Sequence, residues 1–89
     1  MNYNYWDLGQ QPEGAVVRVE LEGNAANVRL LDSSNYRSFS AGREHRFIGG
    51  HYKSSPVTLQ VPNGGHWYVV VDYGGYQGRG RAAVQVLAA

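Results

Sequence analysis

The sequence predicts an all-β fold: an antiparallel β-sandwich, jelly-roll-like, of about seven short strands. Three observations carry that prediction. Apolar and polar residues alternate with period two in separate segments, most cleanly where Val17, Val19 and Leu21 oppose Arg18, Glu20 and Glu22. Clusters of Gly, Asn, Ser and Pro punctuate those segments at the intervals of antiparallel connections. Val, Ile, Thr, Tyr, Phe and Trp, which suit a pleated surface, supply 24 of the 89 positions. A chain of this length has room for one domain, residues 1–89, with a single apolar core.

The elements follow in order. Residues 2–8 place Tyr3, Tyr5 and Asp7 on one side of a strand and Trp6 and Leu8 on the other, and the run from Gln10 to Gly14 turns the chain at Pro12. Residues 15–22 form a strand with one wet face. Gly23-Asn24 is a turn that tolerates positive φ, and residues 26–32 continue as a strand with Val28 and Leu30 inward. Between Asp32 and Gly42 the alternation breaks. Tyr36 and Phe39 lie three apart, Asp32 and Ser33 are both capping residue types and Gly42 suits a helix end, which predicts a short turn of helix. Strands are expected at 43–48, ending at Gly49-Gly50, and at 55–61, where Pro56 marks an edge or a bulge. Residues 66–73 read as a central strand, because Trp67, Val69 and Val71 alternate with Tyr68 and Val70, so both faces are apolar. A last strand at 79–87 turns Val84 and Val86 inward. The expected core is Val17, Val19, Leu21, Val28, Leu30, Val57, Leu59, Trp67, Val69, Val71, Val84 and Val86.

Composition removes several classes of function. Eight basic residues against seven acidic ones argue against a strongly electrostatic nucleic-acid binder, and no Cys is present to form a disulfide, a thiolate metal site or a cysteine nucleophile. The apolar run from Trp67 to Val71 is far shorter than the ~20 residues of a membrane span. Neither a basic n-region nor an apolar h-region opens the chain, so the expectation is a cytoplasmic protein without membrane contact. Charge is uneven along the chain, net −3 over residues 1–32 and net +4 over residues 33–89.

No motif dictates a chemistry. If successive strands reverse, the turns at 23–25, 49–53 and 74–78 share one end of the sandwich, and segments 9–14, 33–42 and 62–65 share the other. Asp32, His45 and His66 are then the one His-pair grouping to weigh, either as metal ligands or, with Ser33 or Ser34, as a hydrolytic set. No ligand pair has a recognised zinc spacing, and Asp-Ser-Ser-Asn is ordinary turn composition. The expectation is no enzyme, no metal and no cofactor. A weak internal echo, Leu30-Leu31-Asp32 with Tyr36 and Val70-Val71-Asp72 with Tyr76, is explained by Asp accepting backbone hydrogen bonds at strand exits.

Gly23 to Tyr36, Gly49-Gly50-His51 with Ser55-Pro56-Val57, and Gly65 to Asp72 with Gly74-Gly75-Tyr76 together resemble the bacterial family called domain of unknown function 1883. The resemblance covers almost the whole chain. Members look like small all-β domains, alone or fused to Toll/interleukin-receptor-like domains, and the resemblance implies a sensing or interaction role without bringing a functional residue. The leading expectation is therefore a non-enzymatic binding, sensor or interaction module that meets a protein partner or a second copy of itself. Glycan or small-ligand binding is the first alternative. Single-stranded nucleic acid is the second, through the Tyr/Gly/Arg loop from Tyr73 to Arg81, where Asp72 and Arg79 are expected to face each other. The candidate contact surface is the loop end holding Asn24, His51, Tyr52, Lys53, Tyr73, Tyr76 and Arg79.

Overall fold

Seven strands and one short helix make up the computed structural model, which describes residues 2–74 and 80–87. The strands are β1 (Asn4–Gln11), β2 (Val16–Gly23), β3 (Ala26–Asp32), β4 (Ile48–Tyr52), β5 (Val57–Gln60), β6 (Gly65–Asp72) and β7 (Gly80–Leu87), with α1 (Ser33–Ser40) between β3 and β4. They pair antiparallel into a four-stranded sheet, β1-β6-β3-β4, and a three-stranded sheet, β5-β2-β7. Only the β3-to-β4 connection stays within one sheet. Every other connection crosses to the opposite layer, which gives the expected sandwich.

Period-two alternation decides what lies between the layers. Val17 and Val19 from β2, Val28 and Leu30 from β3, and Trp67, Val69 and Val71 from β6 are buried there, with Val57 and Leu59 from β5. Each such side chain contributes about 1.5 to 3 kcal/mol through the apolar surface it removes from water. Ala15, Ala26 and Val61 join this core. Leu21, Val84 and Val86, expected inside, are only partly buried: among the described residues β7 has a neighbour on one side only, and Leu21 lies past Val19, where the pairing of β2 with β5 stops. Trp67 keeps its indole N–H satisfied by donating to the Asn63 carbonyl at 3.0 Å.

A second, smaller core lies on the far side of the four-stranded sheet. Leu31 and Val70 point away from the sandwich interior, and Phe39 of α1 covers them with Tyr3 and Tyr36 at the margin. The helix starts where Asp32 accepts a hydrogen bond from the Asn35 amide at 2.9 Å, the N-cap that the sequence suggested. It ends at Gly42, whose φ of +73° terminates the turn.

The 43–48 strand is not formed. Those residues approach the sheet irregularly, since the Asn35 side chain accepts the Arg46 amide at 2.8 Å and removes it from any ladder. Pairing starts at Ile48 and continues through Gly49 and Gly50, the glycines expected to end a strand. Gly49 sits at φ +133° against Val28, where a Cβ would collide with the Val28 carbonyl oxygen. The β-strand therefore needs the glycine that the sequence seemed to offer as punctuation. Among the described residues, no helix is long and apolar enough to cross a membrane.

Candidate functional site

The outer face of the four-stranded sheet collects most of the unusual side chains. Alternation brings Tyr3, Tyr5 and Asp7 of the first strand region, His66, Tyr68, Val70 and Asp72 of β6, Asn27, Arg29 and Leu31 of β3, and His51 of β4 to this side. Tyr36 and Phe39 reach it from α1, and Phe47 from the segment before β4. Two districts result, one polar and one aromatic.

The polar district centres on Asp72, which is 1% exposed and is the one buried ionisable side chain among the described residues. A buried carboxylate is costly unless its lone pairs are filled. Asp72 fills them from three donors: Oδ1 accepts from Asn27 Nδ2 at 2.9 Å and from the Gly74 amide at 2.8 Å, and Oδ2 accepts from Arg29 Nη1. Burial pushes its pKa up, but the hydrogen bonds from Asn27, Gly74 and Arg29 with the Arg29 charge outweigh that and leave it below the usual carboxylate range. Asn27 is oriented in turn by His51, whose Nδ1 lies 3.0 Å from Asn27 Oδ1. The Arg29 guanidinium rests 5.3 Å from the ring centroids of both Phe39 and Phe47, while its Nε has no hydrogen-bond partner.

Eight rings form a continuous run across the aromatic district. From Phe47 it passes through His45, Phe39, Tyr3, Tyr5, Tyr36 and Tyr68 to His66, with successive centroids 4.2 to 6.4 Å apart. Tyr36 and Tyr68 stack nearly parallel at 4.2 Å, and the Tyr36 and Tyr3 hydroxyls share a hydrogen bond at 3.4 Å. Burial, then the Tyr3 hydroxyl, raises the Tyr36 pKa, so that phenol stays protonated. The run is open to solvent at its Phe47 end, where the ring is 44% exposed, and midway along it at Tyr5, which is 56% exposed. Phe47 separates two clefts, one of about 410 Å³ bordered by Asn35, Arg46, Ile48 and Trp67, the other of about 250 Å³ bordered by Asn27, Arg29, Gly50 and His51.

The register places the expected loop-end residues as follows. Asn24 sits in the exposed turn between β2 and β3, and Lys53 is exposed just past β4 at the same end. His51 points outward and joins the polar district. Tyr52 and Tyr73 are partly buried against the core, and the Tyr73 hydroxyl lies where a Cβ on Gly80 would stand. Tyr76 and Arg79 lie outside the described residues, so the Asp72–Arg79 pair does too; among the described residues the Asp72 carboxylate accepts from Asn27, Gly74 and Arg29.

Asp32, His45 and His66 do not come together. Asp32 caps α1, His45 donates to the Arg43 carbonyl at 2.9 Å, and His66 Nε2 donates to Asp7 Oδ1 at 2.5 Å. The Gly9 amide and then His66 hold the Asp7 carboxylate below its usual range. Among the described residues, no three His, Asp or Glu side chains gather as a metal-ligand set. Sequence reasoning missed Arg29 as the partner of Asp72, although both fall on the outward parity of adjacent strands, and missed Tyr3, Tyr5 and Tyr68 as one surface because strand order was not legible.

Comparison with known proteins gives one match. The family model described as "Domain of unknown function (DUF1883)" matches residues 1–89, the whole chain. No curated protein and no solved structure matches.

Proposed function

The chain belongs to the DUF1883 family, whose description names no activity, and from that premise we infer that it is a non-enzymatic binding module. Its contact surface is the outer face of the four-stranded sheet, and its partner is a protein surface with an apolar centre and acidic rim. The observation that carries this reading is the eight-ring run, open to solvent at its Phe47 end and midway along it at Tyr5. Rigid rings bury large area for little side-chain entropy, so they anchor recognition surfaces. Exposed Arg43 and Arg46 immediately precede Phe47 and outweigh the exposed Glu44 between them, which sets the sign of the partner's rim. His51 connects this face to the loop end, with Lys53 and Asn24 at its margin.

A second reading has its own support. The cleft between Phe47 and His51 offers a ring, the Asn27 amide and the Arg29 guanidinium, a set that suits a sugar or another small polar ligand.

The test is a binding panel of oligosaccharides, single-stranded oligonucleotides and acidic protein baits, run with wild type, Tyr5→Ala and Phe47→Ala. The expected result is an acidic protein ligand whose affinity falls at least about tenfold, or 1.4 kcal/mol, in either variant. A sugar hit lost only in Phe47→Ala moves the function to the cleft. An oligonucleotide hit that weakens steeply with salt, or a ligand sensitive to Lys53→Ala and to neither ring, contradicts the reading.

A further inference from the structure

Of the four strands at sheet edges, three carry features that discourage pairing with another chain. In β1 the register slips between Asp7 and Gly9, and the Asp7 carboxylate stands beside the bulge. β4 has five residues and depends on Gly49, while β5 has four and directly follows Pro56. β7 has none of these features. It runs eight residues in unbroken register with β2, and among the described residues no strand pairs with its other side. From Ala82 to Leu87 it contains neither charge nor proline.

The sandwich is also open along this edge. Ala82, Val84 and Val86 face the core yet are only partly buried, whereas Val17 and Val19 on the neighbouring β2 are 0% exposed. Unpaired backbone and uncovered apolar side chains therefore coincide on β7.

We propose that β7 is the pairing edge for a second copy of this chain, which joins two three-stranded sheets into one of six strands. Antiparallel pairing about a two-fold axis at Val84 is self-complementary: Val84 meets its symmetry mate, Ala82 meets Val86, and Ala83 meets Gln85. The inward residues of both copies then close the open seam together. On the outer side Ala83 neighbours Glu20 and Gln85 neighbours Arg18, so the two central rows crossing the axis run from Glu20 of one copy to Arg18 of the other, and the two rows beyond them pair Arg81 with Leu87. Opposite charges terminate the two central rows, and no like charges face each other where Ala83 meets Gln85 and Arg81 meets Leu87.

Sedimentation equilibrium of the full chain tests this, with wild type, A83K/Q85K and A83K/Q85E compared. Both positions are exposed and outward, so circular dichroism is expected to show all three folded. Wild type is expected to pass from 9.8 kDa to twice that mass as concentration rises. A83K/Q85K sets Lys against Lys twice across the axis and weakens the dimer at least about tenfold, while A83K/Q85E sets Lys against Glu and restores it. Amide exchange along β7 in wild type slows with concentration, a readout that does not depend on either variant. A chain that stays at 9.8 kDa up to its solubility limit, or a dimer equally tight in all three proteins, overturns the proposal.

Discussion

On the inner face of the four-stranded sheet Val28, Leu30, Val69 and Val71 are sealed against the second layer, while on its outer face the same strands carry Asn27, Arg29, Tyr68 and Asp72. The inner face is held by non-directional burial, so any side chain of the right volume serves. The outer face is held by directed contacts: an ion pair, three further hydrogen bonds around it and a run of rings, each of which requires a particular partner. Rigid, polar-tipped and partly open, the outer face costs more to build than an ordinary solvated sheet surface. The proposed recognition role would account for that cost, and the inner face needs no such account.

The sharpest way to break the comparison is to orphan the buried carboxylate. Arg29→Met removes the guanidinium that pairs with Asp72 and rests over Phe39 and Phe47, leaving Asp72 charged at 1% exposure, and urea unfolding is expected to show a loss of about 3 kcal/mol. Adding Asp72→Asn to that variant recovers part of the loss, because the uncompensated charge is gone. On the inner face, Val69→Ala removes two methyl groups from a site with 0% exposure and is expected to cost on the order of 2 to 3 kcal/mol. No second substitution on the outer face rescues it.

Acid separates the two faces further. The folded-state pKa of Asp72 is depressed, so its contribution is complete above the unfolded carboxylate pKa of about 4 and disappears as pH falls through the lower, folded value. Asp7 acts in the same direction from an exposed site. Thermal midpoints measured from pH 7 downward are expected to stay level and then fall below about pH 4, with the fall reduced in Asp72→Asn. The smallest effect belongs to Tyr36→Phe, which removes one long hydrogen bond to Tyr3 and keeps the stack on Tyr68; about 0.5 kcal/mol is expected from the same unfolding curves.

Much of the inner face was legible from one sequence. Nine of the twelve expected core residues are buried, because period-two spacing fixes which face a side chain takes whatever its strand pairs with. The helix was legible too, through Asp32 as cap and the Tyr36–Phe39 spacing. Where the strand after it begins was not, since the Asn35 side chain holds the Arg46 amide and Gly49 is needed beside Val28; both are contacts between distant segments. The outer face stayed hidden for the same reason. Arg29 and Asp72 are 43 residues apart, and Asp7 and His66 are 59 apart, so each pair depends on β6 lying between β1 and β3, an order that alternation does not encode.

The account turns on the outer face being the contact surface, and site-specific photo-crosslinking tests that most directly. A benzophenone side chain placed singly at Tyr5, Phe47 or Thr58, the last exposed on the three-stranded sheet, is irradiated in cells expressing the chain. Discrete protein adducts from Tyr5 and Phe47 with none from Thr58 are the predicted result. Adducts from Thr58 alone, or none from either ring position, contradict it.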